Sequence, residues 1–287
     1  MTTPFLQALT FRDRQWFRVA IMVATAPVAG LLISFPVMIT LFALGAGEPE
    51  GPPLQRSALY VLQLALGLGS LAAGVVLAAR VIFGRPVATW VTAAPRFRKS
   101  LLAAGAVATL PAVGLLMAID ALVLGGDLQL PILDPAGLDL KLGYICAVTV
   151  GLLVAAAAEE VVFRGYVLQQ TAAFTRNVWL IVGLNGVLFA LLHLEFDPSA
   201  LAARTLAGAA FAWAALRLGG LEFAIGAHLA TNLMLALFQA PMLPEDPAAT
   251  GGMDEVLSEV ALAAYTVWIV EVLRRRAWLT GAISSPA

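Results

Sequence analysis

The ionisable side chains that stand out in this sequence lie inside long apolar runs. Glu159, Glu160 and Arg164 follow the stretch Leu152-Leu153-Val154-Ala155-Ala156-Ala157-Ala158, and the two histidines of the chain, His193 and His228, both fall in apolar segments. Three charges at mid-helix carry an insertion cost of roughly 8 to 10 kcal/mol before pairing, so residues of this kind are functional by default. Glu160 and Arg164 are four apart, share a helix face and stand in the favourable order for a salt bridge, whereas Glu159 lies about 100° around the helix. One carboxylate is thereby neutralised and the other is free to act. His228 and Asn232 are also i, i+4 neighbours, so an imidazole and a carboxamide project into one small volume.

A carboxylate beside an imidazole at low dielectric holds a water and removes its proton, and donors such as His228 and Asn232 stabilise the oxyanion that forms when this water attacks a carbonyl. The competing reading of the charged trio is an ion cluster that only fixes helix packing. A lone membrane histidine is more often a packing residue hydrogen-bonded across helices. Two in spans and none elsewhere reverse that preference. No serine, cysteine or HExxH pattern accompanies them, which leaves water-mediated, non-covalent hydrolysis as the proteolytic route.

Helices in lipid must position these groups. The chain has 287 residues, 61% hydrophobic and only 12% charged, with net charge -1 and mean hydropathy +0.90. That composition excludes a soluble enzyme, a secreted disulfide scaffold and a disordered tail. A single cysteine, Cys146, permits no internal disulfide, no CxxC pattern offers a structural zinc site, and the near-zero charge supplies no field for nucleic acid. Apolar runs at about residues 16–46, 57–83, 101–124, 142–174, 178–194, 200–216, 223–238 and 256–272 predict an all-α, polytopic transmembrane bundle of eight spans. Arg12, Arg14, Arg18, Arg80, Arg85, Arg96, Arg98, Lys99, Arg164, Arg176, Arg217 and Arg274 to Arg276 then fall on one side, against Arg56 and Lys141 on the other, which puts both termini in the cytoplasm. The acidic stretch 244–255 is accordingly extracytoplasmic.

If the fourth and fifth spans form a hairpin turning at Arg176, Glu159 lies 17 residues before that point and His193 17 after it, at matching depth. A turn at Gly219-Gly220 brings His228 near the same level. Smaller signals have plainer readings: the stretch 84–98 with Trp90 and Phe97 at the membrane interface, Asp120 and Glu222 solvated near span ends, and Arg204 snorkelling or paired with Asp197. Trp16, Trp90, Trp268 and Trp278 read as belt or packing residues, and Arg274-Arg275-Arg276 as a topology anchor.

Glu159-Glu160-Val161-Val162-Phe163-Arg164 fits EExxxR, Phe189 to His193 fits FxxxH, and His228 to Asn232 fits HxxxN. In this order and approximate spacing they resemble the signatures of the CPBP intramembrane proteases, the CAAX prenyl endopeptidase, bacteriocin-processing and lysostaphin-resistance-like group. The resemblance covers about residues 142–238. It implies an intramembrane glutamic endopeptidase in which Glu159 and His193 activate water, His228 and Asn232 form the oxyanion site, and Glu160, Arg164 and Phe189 support them. Glu159 with two histidines is also a possible zinc ligand set, but the resemblance implies no metal and no cofactor. Residues 1–141 then form N-terminal transmembrane helices without a recognised motif, 142–240 the catalytic core, and 241–287 an outer loop, the last span and a basic tail. The implied partners are the lipid bilayer and a peptide or membrane-protein substrate, lipidated or not, in a bacterial inner membrane. Two other classes compete: a proton-coupled transporter, against which the lack of an internal repeat counts, and a non-catalytic membrane partner or immunity protein of the same fold.

Overall fold

The computed structural model describes residues 3–43, 50–243 and 252–276. Helices occur where the apolar runs predict them: α1 Trp16–Ala43, α2 Pro53–Phe83, α3 Lys99–Ile119, α4 Leu138–Glu160, α5 Leu168–Phe174, α6 Val178–Leu191, α7 Pro198–Leu218, α8 Glu222–Met234 and α9 Met253–Leu273. A π-helical segment, Val161–Val167, joins α4 to α5, so Leu138–Phe174 is one continuous rod of 37 residues. Further π turns extend α3 through Asp120–Leu124 and α8 through Leu235–Gln239. Among the described residues, six helices are long and apolar enough to cross a membrane. Two of the eight expected spans are not among them: the fifth is α6, with 14 residues, about 21 Å of rise against a hydrocarbon core of about 30 Å, and the seventh is α8, with 13 residues before its π turn. Of the expected outer stretch 244–255, residues 244–251 lie outside the described residues, as does Trp278.

Local sequence sets the ends of the rods. The side chain of Asn177 accepts from the amides of Trp179 and Leu180 at the start of α6, and Asp197 accepts from Ser199 and Ala200 at the start of α7. Gly219 closes α7 in the left-handed conformation at φ 72°. Outward faces are apolar; on α1, Leu31, Leu32, Phe35 and Phe42 are all more than 60% exposed. Such a stripe suits lipid rather than water.

In the bundle α4 packs on α2 and α8, α3 on α8, and α7 on both α6 and α9. Small residues let the backbones meet. A Cβ on Gly186 of α6 would lie 2.4 Å from the Thr205 carbonyl oxygen of α7, and one on Gly208 would lie 2.8 Å from Gly186 Cα. The Tyr144 hydroxyl donates to the Ala236 carbonyl at 2.5 Å, tying α4 to the far end of α8.

The basic end of the bundle is sealed by a buried polar layer, which corrects two expectations. Glu222 is not solvated: it is fully buried, and Arg98 grips it through Nε to Oε1 at 3.0 Å and Nη2 to Oε2 at 2.7 Å while Nη1 donates to the Leu218 carbonyl. A glutamate at this helix start can be taken out of water because a guanidinium from the 84–98 loop reaches it. Trp90 does not lie in the headgroup layer either; it is 1% exposed, with the Arg85 guanidinium 3.8 Å from its ring centroid, whereas Phe97 is 41% exposed. Arg85 also pairs with Asp13 at 3.0 Å and donates to Gln169 at 2.5 Å, so residues of the first fifteen and of the 84–98 loop are clamped onto α5. Desolvation by burial lowers the pKa of Arg85, partly offset by the Asp13 carboxylate.

Candidate active site

Glu159 and Glu160 are the last two residues of α4 before the helix widens. In the π segment the Leu168 amide bonds the Phe163 carbonyl, five residues back, and Asn185 Nδ2 from α6 donates to the same oxygen at 2.8 Å. Insertions of this kind recur at functional sites because they redirect side chains within an otherwise regular rod. Here the two adjacent glutamates acquire different surroundings.

Glu160 and Arg164 are both 0% exposed and form a salt bridge of 2.9 Å. Arg164 Nη2 also donates to the Gly208 carbonyl at 3.2 Å, a contact that the close α6–α7 crossing allows. Its guanidinium carbon lies 4.4 Å from the ring centroid of Phe189, 5.5 Å from that of Phe211 and 5.8 Å from that of Phe163. The cation is thus balanced by a carboxylate, a carbonyl dipole and three aromatic faces.

Glu160 Oε1 has a second partner, His228 Nδ1 of α8, at 3.0 Å. A carboxylate oxygen accepts, so Nδ1 carries the proton and Nε2 points away from Glu160. His193 is fixed similarly, with Nδ1 donating to the Phe189 carbonyl at 2.8 Å. Its ring meets the Phe189 ring edge-on, with centroids 4.6 Å apart, and Phe211 lies 5.6 Å from the His228 ring.

Both Nε2 atoms face the other glutamate. Glu159 Oε2 is 4.0 Å from His193 Nε2 and 4.0 Å from His228 Nε2. That oxygen is buried and has no hydrogen-bond partner among the described residues. Glu159, His193 and His228 are therefore brought together from α4, the α6–α7 turn and α8. Asn232 lies one turn beyond His228 on α8 and is half-buried. No group of three or more His, Cys, Asp or Glu side chains among the described residues is arranged to hold a metal ion.

The surroundings amend the sequence reading at two points. His193 is not within the helix, because α6 ends at Leu191 and His193 occupies the following turn, where Leu194 adopts φ 58°. Its side chain is 32% exposed, beside the exposed apolar Leu192, Leu194 and Phe196. Arg204 pairs with Glu195 rather than Asp197, whose carboxylate is committed to capping α7. Hydrogen bonds from Ser199 and Ala200 hold the Asp197 carboxyl below its ordinary range. Phe211, Asn185 and Gly208 also belong to the site, and motif spacing does not point to them; Asn185, a lone carboxamide in the apolar run 178–194, carries a signal in the sequence, whereas Phe211 carries none.

Residues 141–234, about a third of the chain, match the family model described as type II CAAX prenyl endopeptidase Rce1-like. The match supports the resemblance carried by EExxxR, FxxxH and HxxxN, and with the apolar spans it makes this an integral membrane protein. A curated relative, the uncharacterized protein YyaK of Bacillus subtilis (strain 168), is 29% identical over 109 residues, which are 36% of this chain and 35% of the relative. The chain thus matches about a third of that relative's length. No solved structure matches the chain.

Proposed function

We propose that the Rce1-like segment is the catalytic core of an intramembrane endopeptidase that hydrolyses peptide bonds of membrane-associated substrates with a water activated by Glu159 and His193. The observation that carries this reading is the unpartnered Glu159 Oε2, 4.0 Å from two imidazole Nε2 atoms. With His193 Nδ1 donating to Phe189, the neutral ring turns a lone pair toward a carboxylate, and two acceptors face each other. A water about 2.8 Å from each spans that distance and donates one proton to each. Both groups are then placed to draw a proton from it as its oxygen adds to a peptide carbonyl.

Glu159 accepts the proton of the attacking water, and the new C–O bond leaves a tetrahedral oxyanion. His228 and Asn232 supply donors to that oxyanion, the imidazole through Nε2–H. With Nδ1 already donating to Glu160, this requires a doubly protonated ring, whose charge the Glu160 carboxylate offsets. The proton held by Glu159 passes to the departing amine as the C–N bond breaks, giving a carboxylic acid and an amine, and the acid then passes its proton to the amine. Glu160, Arg164 and Phe189 position the reacting groups. The exposed apolar residues around His193 suit a substrate presented from the bilayer, and the basic end of the bundle faces the cytoplasm.

Purified protein reconstituted in vesicles is expected to cleave a membrane-anchored reporter peptide, with no zinc requirement. Glu159→Gln, which keeps size and polarity, is expected to lower the rate by about 10² to 10⁴ at an unchanged unfolding midpoint. Full activity in this variant sinks the mechanism, and proton-driven solute flux without hydrolysis replaces it with a transporter.

A further inference from the structure

A cavity of about 500 Å³ opens at the basic end of the bundle, away from the carboxylate–imidazole cluster, between residues of the first fifteen, the turn from α5 into α6, and α7. Its floor is apolar: Leu6, Ile181 and Leu216 line it. Phe5 inserts beside it into the core formed by Leu168, Ile181 and Leu216, which holds the short helix Pro4–Leu6 in place. Its rim is cationic. Arg14 and Arg176 both line the cavity, and neither has an ion-pair or hydrogen-bond partner among the described residues. Thr3, 7% exposed, also lines it, and its hydroxyl is buried without a partner.

These features are unusual together. Arg85, Arg98 and Arg217 of this end are matched to Asp13, Glu222 and Glu271, whereas Arg14 and Arg176 share one cavity. Trp16 and Trp179, 75% and 71% exposed, follow Arg14 and Arg176 closely in sequence, the placement of aromatic residues at a membrane surface. Charge and shape therefore specify one kind of ligand, an anion with an apolar body, at the level where lipid headgroups lie.

We propose that this cavity binds the headgroup of an anionic phospholipid. Arg14 and Arg176 take the phosphodiester oxygens, and the glycerol and upper acyl chain lie along Leu6, Ile181 and Leu216. Guanidinium and phosphate form strong charge-assisted hydrogen bonds, and basic pockets between transmembrane helices are suited to such headgroups. The site stands apart from the proposed catalysis, so binding is measured without turnover.

The test uses the full chain in a neutral detergent, with retained lipid read by native mass spectrometry and stability by thermal unfolding. Phosphatidylglycerol, phosphatidylcholine and inorganic phosphate are added in turn. Phosphatidylglycerol is expected to stay bound and raise the unfolding midpoint, with phosphatidylcholine much weaker and inorganic phosphate without effect. Arg14→Gln with Arg176→Gln is expected to weaken phosphatidylglycerol binding about thirtyfold. Both side chains are exposed, so this variant retains the unliganded midpoint. Equal binding of the two lipids, undiminished binding in the double variant, or equal stabilisation by inorganic phosphate overturns the lipid site.

Discussion

Arg164→Met is expected to destabilise the bundle severely, and Glu160→Gln added to it to restore part of the loss. Both side chains of this pair are 0% exposed and they meet at 2.9 Å. Removing the guanidinium leaves a buried carboxylate whose remaining partner is His228 and strips the Gly208 carbonyl of its donor. Breaking one half of a buried ion pair costs about 3 to 5 kcal/mol, chiefly the cost of the charge left behind. Glu160→Gln alone leaves the cation uncompensated and is expected to cost a similar amount. The double variant removes both charges and keeps an amide oxygen for His228 Nδ1, so it is expected to be at least about 2 kcal/mol more stable than the sum of the singles predicts. Reversible unfolding in mixed micelles, read by circular dichroism, measures this cycle. Additivity to within about 0.5 kcal/mol shows that the two residues do not depend on each other and refutes the pairing described above.

Asn232→Ala is expected to lower kcat by about 10² to 10³ with little change in KM, since an oxyanion donor acts chiefly in the transition state; steady-state cleavage of the reporter measures it. Gly186→Ala places a Cβ 2.4 Å from the Thr205 carbonyl oxygen, so α6 and α7 must part, at a cost of about 1 to 3 kcal/mol in the unfolding assay and with lowered activity because Gly208 moves away from Arg164. Arg98→Met strands the buried Glu222, and the same assay is expected to show a loss of about 3 to 5 kcal/mol with the catalytic residues untouched.

The parts of the fold legible in the sequence are those set by local rules. Hydropathy marks every long helix, and the Glu160–Arg164 pair follows from a spacing of four. Equal residue counts on the two sides of Arg176 align Glu159 with His193, and the structure keeps that relation, since Glu159 precedes Phe174 by as many residues as His193 follows Val178. Contacts between elements that no single turn joins were not legible. Glu222 finds Arg98 across 124 residues, and nothing in either neighbourhood names the other. Nor did Val161–Val167 announce its π geometry, because a single glycine, Gly165, inside a long helical run is tolerated and the segment reads as ordinary α-helix. The early end of α6 was hidden for the same reason: Leu191-Leu192-His193-Leu194 continues the apolar run through the turn.

Whether Glu159 and His193 act on a single water is decided by a rate cycle comparing wild type, Glu159→Gln, His193→Ala and the double variant under single-turnover conditions. Groups that serve one proton transfer fail together, so the double variant is expected to be no slower than the slower single variant. Losses that multiply, or a single variant that cleaves at the wild-type rate, show that the two side chains do not share that water.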